Sequence, residues 1–326
     1  MFLKLFLCIY AINFVIILCD ESLWFENNSC EIKNNPMKKI ILFAIILSVF
    51  LLSCSSNEDC CPPEATTNNL IIKFKFDPTQ ERLNNLGQPE AIPAGNAAQS
   101  STFARMSANY IEFAPTATTL LGEGEIIYNG TETTEGGEVA INFQAAQFAG
   151  NDAVFVTIPM NQVAAGTYNW VRVSLAYQEG SINLLQNGDD ITGTLASFVG
   201  YNSYITSFDV NGSTFNINEN KLQGFWAFEA LGFTTQGQAP AGATTVPNPL
   251  FDSSPVPQGS CVVTGQFTNA FTITGNETQD VEVTLSFSVN NSFEWTEINA
   301  DGKYEPSIGE QPVDMGLRGL IPSFSN

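Results

Sequence analysis

Val281, Val283, Leu285, Phe287 and Val289 alternate without a break with Glu282, Thr284, Ser286 and Ser288. Successive side chains leave a helix about 100° apart and a strand about 180° apart, so a strict two-residue period describes a strand with one buried face. The pattern recurs at Ile72, Phe74 and Phe76 around Lys73 and Lys75, and at Val171, Val173 and Leu175 around Arg172 and Ser174. Val139, Ile141 and Phe143 repeat it, as do Val154, Val156 and Ile158. Asn129-Gly130, Asn187-Gly188 and Asn211-Gly212 stand between such runs and suit two-residue hairpins, whose central residues both need positive φ. The last of them, between 204–210 and 213–217, is the clearest. The spacing predicts about ten to thirteen mostly antiparallel strands and no amphipathic helix, an all-β chain most simply arranged as a sandwich. Residues 70–326 are read as one domain, interrupted by a Pro/Gly/Ala-rich stretch at 86–102 and a proline-rich one at 234–259.

Composition narrows the chemistry. The 326 residues contain no histidine, which excludes Ser-His-Asp and Cys-His catalysis and every histidine-ligated metal site. Twelve basic against 33 acidic residues give a net charge of −21, and phosphate binding needs a basic face, so no nucleic-acid partner is expected. At 44% hydrophobic and 14% charged, the chain is apolar enough to bury a core.

The first 53 residues concern targeting. Met37-Lys38-Lys39 is a short positive region, residues 40–52 form an apolar run of signal-peptide length, and the run ends in Leu51-Leu52-Ser53-Cys54. This order resembles the bacterial lipobox, which implies cleavage before Cys54 and lipidation of that cysteine. A signal peptide works from the N-terminus, so residues 1–36 read as an extension from an early start codon, with translation opening at Met37. The rival account makes residues 2–19 a membrane segment. Residues 54–69 are a polar tether, in which Glu58-Asp59 resembles the surface-export signal of Bacteroidota lipoproteins. Removing residues 1–53 takes away four basic and four acidic residues, and the mature charge stays at −21. So acidic a domain is repelled by anionic lipid, and the lipid on Cys54 is expected to hold the protein on the outer membrane or cell surface. Cys60, Cys61 and Cys261 remain as disulfide candidates: a bond from either of the first two to Cys261, or a vicinal Cys60–Cys61 bond.

Near the C-terminus, Glu297, Asn299 and Asp301 fall at positions one, three and five of a turn whose sixth residue is Gly302. This resembles the front half of an EF-hand calcium loop, with the Lys303 carbonyl at position seven and Glu305 at nine. Alternate side chains of a tight turn converge on one centre, and calcium takes six to eight oxygens. Ile308 stands at position twelve in place of the bidentate Glu, leaving Glu310 or Asp314 to close the site. The expectation is a calcium-braced connection between strands.

Weaker candidates are the carboxylate pairs Glu123/Glu125, on one strand face, and Asp189-Asp190. In the aromatic run Leu222–Glu229, Phe225 and Trp226 point to opposite faces of a strand, and Trp226 is a candidate for stacking on a sugar. The order of Val163-Ala164-Ala165-Gly166-Thr167-Tyr168, the Gly224-Phe225-Trp226-Ala227 patch and the proline-rich loop is similar to that of the copper-binding MbnP-like lipoproteins. No histidine is present to bind copper, and no copper ligand is carried over. Together these features point to a surface or periplasm-facing lipoprotein that binds a glycan, a peptide or a partner protein. The alternatives are a carboxylate-dependent glycan hydrolase and a purely structural surface protein.

Overall fold

The strict alternation at 281–289 becomes β15 (Val281–Ser288), which lies parallel to β1 (Asn69–Asp77) with Ile72 opposite Val283 and Phe74 opposite Leu285. In this computed structural model, which describes residues 68–84, 86–239 and 260–325, the chain from Thr66 onward is one compact unit. Residues 1–67, which hold the expected signal peptide and Cys54, Cys60 and Cys61 of the tether, and residues 240–259 lie outside the described residues. Among the described residues there are eighteen strands, numbered in chain order, more than the ten to thirteen expected because strands of two to four residues escape a periodicity count. The helical elements among the described residues are three one-turn 3₁₀ segments, at Phe143–Ala145, Met160–Gln162 and Pro306–Ile308.

The strands form four sheets. The first runs β18 (Leu320–Ser325), β15, β1, β7 (Ala153–Pro159). The largest runs β13 (Phe233–Gln238), β12 (Phe225–Ala230), β9 (Asp189–Phe198), β8 (Gly166–Gln186), β3 (Thr102–Ala114), β4 (Glu125–Asn129). Its spine is the 21-residue β8, whose C-terminal half pairs with β9 and whose N-terminal half pairs with β14 (Cys261–Ile273). The third sheet is β11 (Ser213–Leu222), β10 (Asn202–Val210), β6 (Ala140–Asn142), β5 (Glu132–Thr133). The fourth is β17 (Pro312–Met315), β16 (Phe293–Thr296), β2 (Asn96–Gln99). Pairing is antiparallel except for β1–β15 and β10–β6.

A bulge divides the inner face of β8 between two neighbours. Against β3, Ser107 faces Tyr177 and Ala108 faces Leu175, so Ala176 is the extra residue. Val171, Val173 and Leu175 before the bulge join the core made with the first sheet, while Ile182 and Leu184 beyond it join Phe293, Trp295 and Tyr304. Tyr177 lies on the other face, in a cluster with Phe143, Phe198, Phe208 and Phe225 against the third sheet. Stacked and edge-on rings fill both cores, such as Phe74 on Phe155 at 4.3 Å.

Several local expectations are corrected. The alternation predicts an outward face for Arg172 and Ser174, but both are fully buried. Arg172 lies under the 115–124 segment and donates to the Thr116 and Ala117 carbonyls. Val154 is 47% exposed, and the core residue of its strand is Phe155, because a register shift against β1 turns Phe155 inward. The run through Val139, Ile141 and Phe143 is not one strand face: Val139 is exposed, and the chain leaves β6 into a 3₁₀ turn at Phe143. Asn187-Gly188 and Asn211-Gly212 form tight turns with both φ positive. Asn129-Gly130 does not: Gly130 is needed because a Cβ there would strike the Asn109 side chain, and its N–H bonds to the Asn109 carbonyl.

Candidate functional site

Beyond the bulge, the inner face of the largest sheet is not fully covered. The rows Gln178–Ser197–Trp226–Gly237 and Gly180–Leu195–Phe228–Thr235 run side by side across β8, β9, β12 and β13. Residues 311–319 and Tyr304 face them across a cavity of about 820 Å³, within the range of small-molecule sites. Two glycines shape its floor. A Cβ on Gly193 would collide with the Phe228 ring, and one on Gly237 would sit 2.6 Å from Trp226 Cζ2. Both rings therefore lie flat over backbone, with Trp226 half-buried, while its neighbour Phe225 is buried on the opposite face. The opposite-face expectation for this pair holds, and Trp226 lines a concave site.

Polar groups gather in the pocket wall. Gln178 spans it, donating to the Met315 carbonyl at 3.3 Å and accepting from Leu317 N–H at 3.2 Å. Arg318 lies among three carboxylates: Asp314 at 2.8 Å, Glu294 at 3.1 Å and Glu90 at 3.3 Å. Glu294, buried, also pairs with Arg82 and accepts from Asn96 at 2.6 Å. Asp314 keeps access to pocket solvent, its side chain 37% exposed, yet desolvation by the surrounding protein raises its carboxyl above the ordinary range against the pull of Arg318. Ser197 Oγ, on a residue 4% exposed, and Arg318 Nε have no hydrogen-bond partner. The sequence marked Trp226 and named Asp314 only as a calcium ligand. Arg82, Glu90, Glu294 and Arg318 lie on separate segments and carry no shared spacing.

The 297–310 loop joins β16 to β17 and supplies one side of the pocket through Tyr304. Its predicted turn is present, with Gly302 at φ +73°. The carboxylates, however, are engaged mainly with the backbone. Glu297 Oε1 accepts from Asp301 N–H at 3.1 Å and Gly302 N–H at 2.8 Å. Glu310 is fully buried and accepts from Ile298, Asn299 and Glu305 N–H at 2.9, 3.3 and 2.6 Å. Asp301 and Glu305 do converge, since the Asn299 amide lies 3.1 Å from an oxygen of each. Lys303 points its amine at Asp190, 2.9 Å away on β9. Asp314 is in the pocket with Arg318 and not in the loop's hydrogen bonds. Among the described residues, no three acidic, cysteine or histidine side chains gather into a metal centre. Tyr304, packed 5.0 Å from Phe293 and 5.7 Å from Trp295, has its hydroxyl pushed up to about 12 by burial and then by Glu310.

The other candidates separate. Glu125 opens β4 and accepts from Ala164 N–H, whereas Glu123 lies before the strand, so the two do not share a strand face. Asp189 and Asp190 begin β9, and Asp190 is spent on Lys303. Cys261 is buried on the pocket side of β14 with no disulfide to another described residue, its thiol pushed up to about 12 by desolvation and by Asp314, and its candidate partners Cys60 and Cys61 lie outside the described residues. Comparison with protein-family models, with curated proteins and with solved structures finds no match to this chain.

Proposed function

We propose that this chain is a lipid-anchored binding protein of the outer membrane or cell surface that captures its ligand in the pocket over Trp226. The observation that carries this reading is the cavity of about 820 Å³, floored by two aromatic rings and walled by a few fixed polar groups. Concave, mainly apolar sites with a few placed polar groups suit a small molecule or one end of a chain, and suit a flat protein interface less well. A glycan or peptide end stacked on Trp226 is the form of ligand this geometry favours. The Lys38-Lys39, apolar run and Leu-Leu-Ser-Cys order supports anchoring at Cys54. The hydrolase alternative gains less support, because the pocket-lining carboxylates Glu90 and Asp314 are both turned onto one guanidinium.

A calcium ion in the 297–305 turn belongs to the same proposal. The turn at Gly302 and the convergence of Asp301 and Glu305 on Asn299 support it. Rotating the Asn299 amide by half a turn would bring its oxygen to the same focus, and the choice between amide O and N follows from the hydrogen-bond partners present. The ion would stiffen the loop that holds Tyr304 against the pocket.

Capture is tested by equilibrium dialysis of the full chain against a neutral oligosaccharide and against 1-naphthalenemethanol, with Trp226→Ala in parallel. At least one probe should bind and lose tenfold or more of its affinity in the variant. Binding of neither, or binding indifferent to Trp226, refutes capture at this site. Anchoring is tested by labelled palmitate, which should mark the parent and not Cys54→Ala.

A further inference from the structure

We infer that the pocket selects a ring-bearing amine: a flat apolar body over Trp226 and Phe228, with a protonated nitrogen at the Asp314–Glu90 end. The inference rests on the capture reading above and adds the ligand's charge. The first observation is the charge balance of that end. Arg82 and Arg318 supply two positive charges against the three carboxylates of Glu90, Glu294 and Asp314, a local sum of −1 with Asp314 ionised, the form that a bound ammonium stabilises. Among the described residues Arg318 is the one basic residue lining the cavity, and it already faces all three of those carboxylates. An anionic ligand would have to displace one of them or become a fourth. An ammonium group instead removes the excess, in a partly desolvated place where a charge interaction is stronger than at the surface.

The second observation is the unfinished hydrogen bonding. Ser197 Oγ lies in the floor between Gln178 and Trp226, nearly inaccessible and without a partner. A buried hydroxyl left alone costs free energy that a bound polar group recovers. Arg318 Nε is a second unpartnered atom and can only donate. It suits a neutral acceptor, such as a hydroxyl or amide oxygen, set near the amine. Apolar ring, ammonium and neutral oxygen together describe the class. Acidic sugars and fatty acids fall outside it.

The test uses three ligands with one ring system: 1-naphthylmethylamine, 1-naphthalenemethanol and 1-naphthaleneacetate. Each is dialysed against the full chain at about 0.15 M salt, where surface fields are screened within about 8 Å. A chain of net charge −21 favours cations everywhere, so the amine-to-acetate affinity ratio is read in the parent and in Asp314→Asn. We expect a ratio of about tenfold or more in the parent, falling to within about threefold in the variant, with the alcohol's affinity unchanged. Glu90→Gln, at the exposed rim, serves as a second variant if Asp314→Asn melts early, and should lower the ratio in the same direction. A parent ratio near one, acetate binding tighter, or a ratio that both variants preserve overturns the inference while leaving capture intact. If no naphthyl ligand binds and the oligosaccharide does, the amine class is wrong and capture stands. If nothing binds, capture itself fails.

Discussion

Glu310 is the residue through which the loop beside the pocket is most open to a decisive perturbation. Its carboxylate is fully buried and closes residues 298–305 onto β17 by accepting three backbone N–H groups, at 2.9, 3.3 and 2.6 Å. A hydrogen bond to a charged group contributes about 1.5–3 kcal/mol. Two of the three are short enough to count fully, giving about 3–6 kcal/mol. Ile298 is 60% exposed, so in Glu310→Ala the freed amides of 298 and 299 reach water and part of that loss is recovered. The expected destabilisation is about 2–4 kcal/mol, or a Tm lower by about 4–16 °C at the 2–4 °C per kcal/mol typical of this size. Glu310→Gln keeps one oxygen for 298 and 299 but points an NH₂ at Glu305 N–H, and should cost about 1–3 kcal/mol. Urea unfolding with a common m-value measures both, and Tyr304 quenching reports whether the loop has left Phe293. If both variants stay within about 0.5 kcal/mol of the parent, Glu310 does not staple the loop. If Gln stays within about 0.5 kcal/mol of the parent while Ala does not, the loss is one of packing and not of acceptors.

For the calcium proposal, a hundredfold excess over Kd adds about 2.7 kcal/mol of stability, or about 5–11 °C in Tm. Magnesium should add less, because it gives up water reluctantly and needs a tighter octahedron. The shift should vanish in Asp301→Ala, and a full shift in that variant, or an equal one from magnesium, would leave only screening of the −21 charge. Asp77, which ends β1, is held well below the usual carboxylate range, first by its hydrogen bond from Lys75 and then by those from Thr79. A depressed folded pKa gives stability that is present above the unfolded value near 4 and is lost as pH falls toward the folded one. Asp77→Ala should therefore cost about 1–2 kcal/mol at pH 6, and the gap to the parent should narrow steadily below about pH 4. A gap constant with pH would assign the loss to turn geometry alone.

The local period of the chain was enough to determine its class. Alternation at 281–289 and 72–76 specified strands, since no helix can turn every second side chain to one side, and Asn187-Gly188 and Asn211-Gly212 specified their turns. The missing histidines and the Gly302 turn were equally plain. What the sequence left open depended on which strands lie beside which. Whether Arg172 faces water is settled by the 115–124 segment above it, and whether Val154 or Phe155 faces inward by a register shift against β1. The pocket is the strongest case. Its floor exists because Gly193 and Gly237, on strands paired with β12, allow Phe228 and Trp226 to lie flat. Its charged end joins Arg82 and Glu90 to Glu294 and Arg318, more than 200 residues further along the chain. Periodicity reports how a residue stands to its chain neighbours. A site assembled across four strands and a loop is a relation between distant segments, and only the packed sheets bring those segments together.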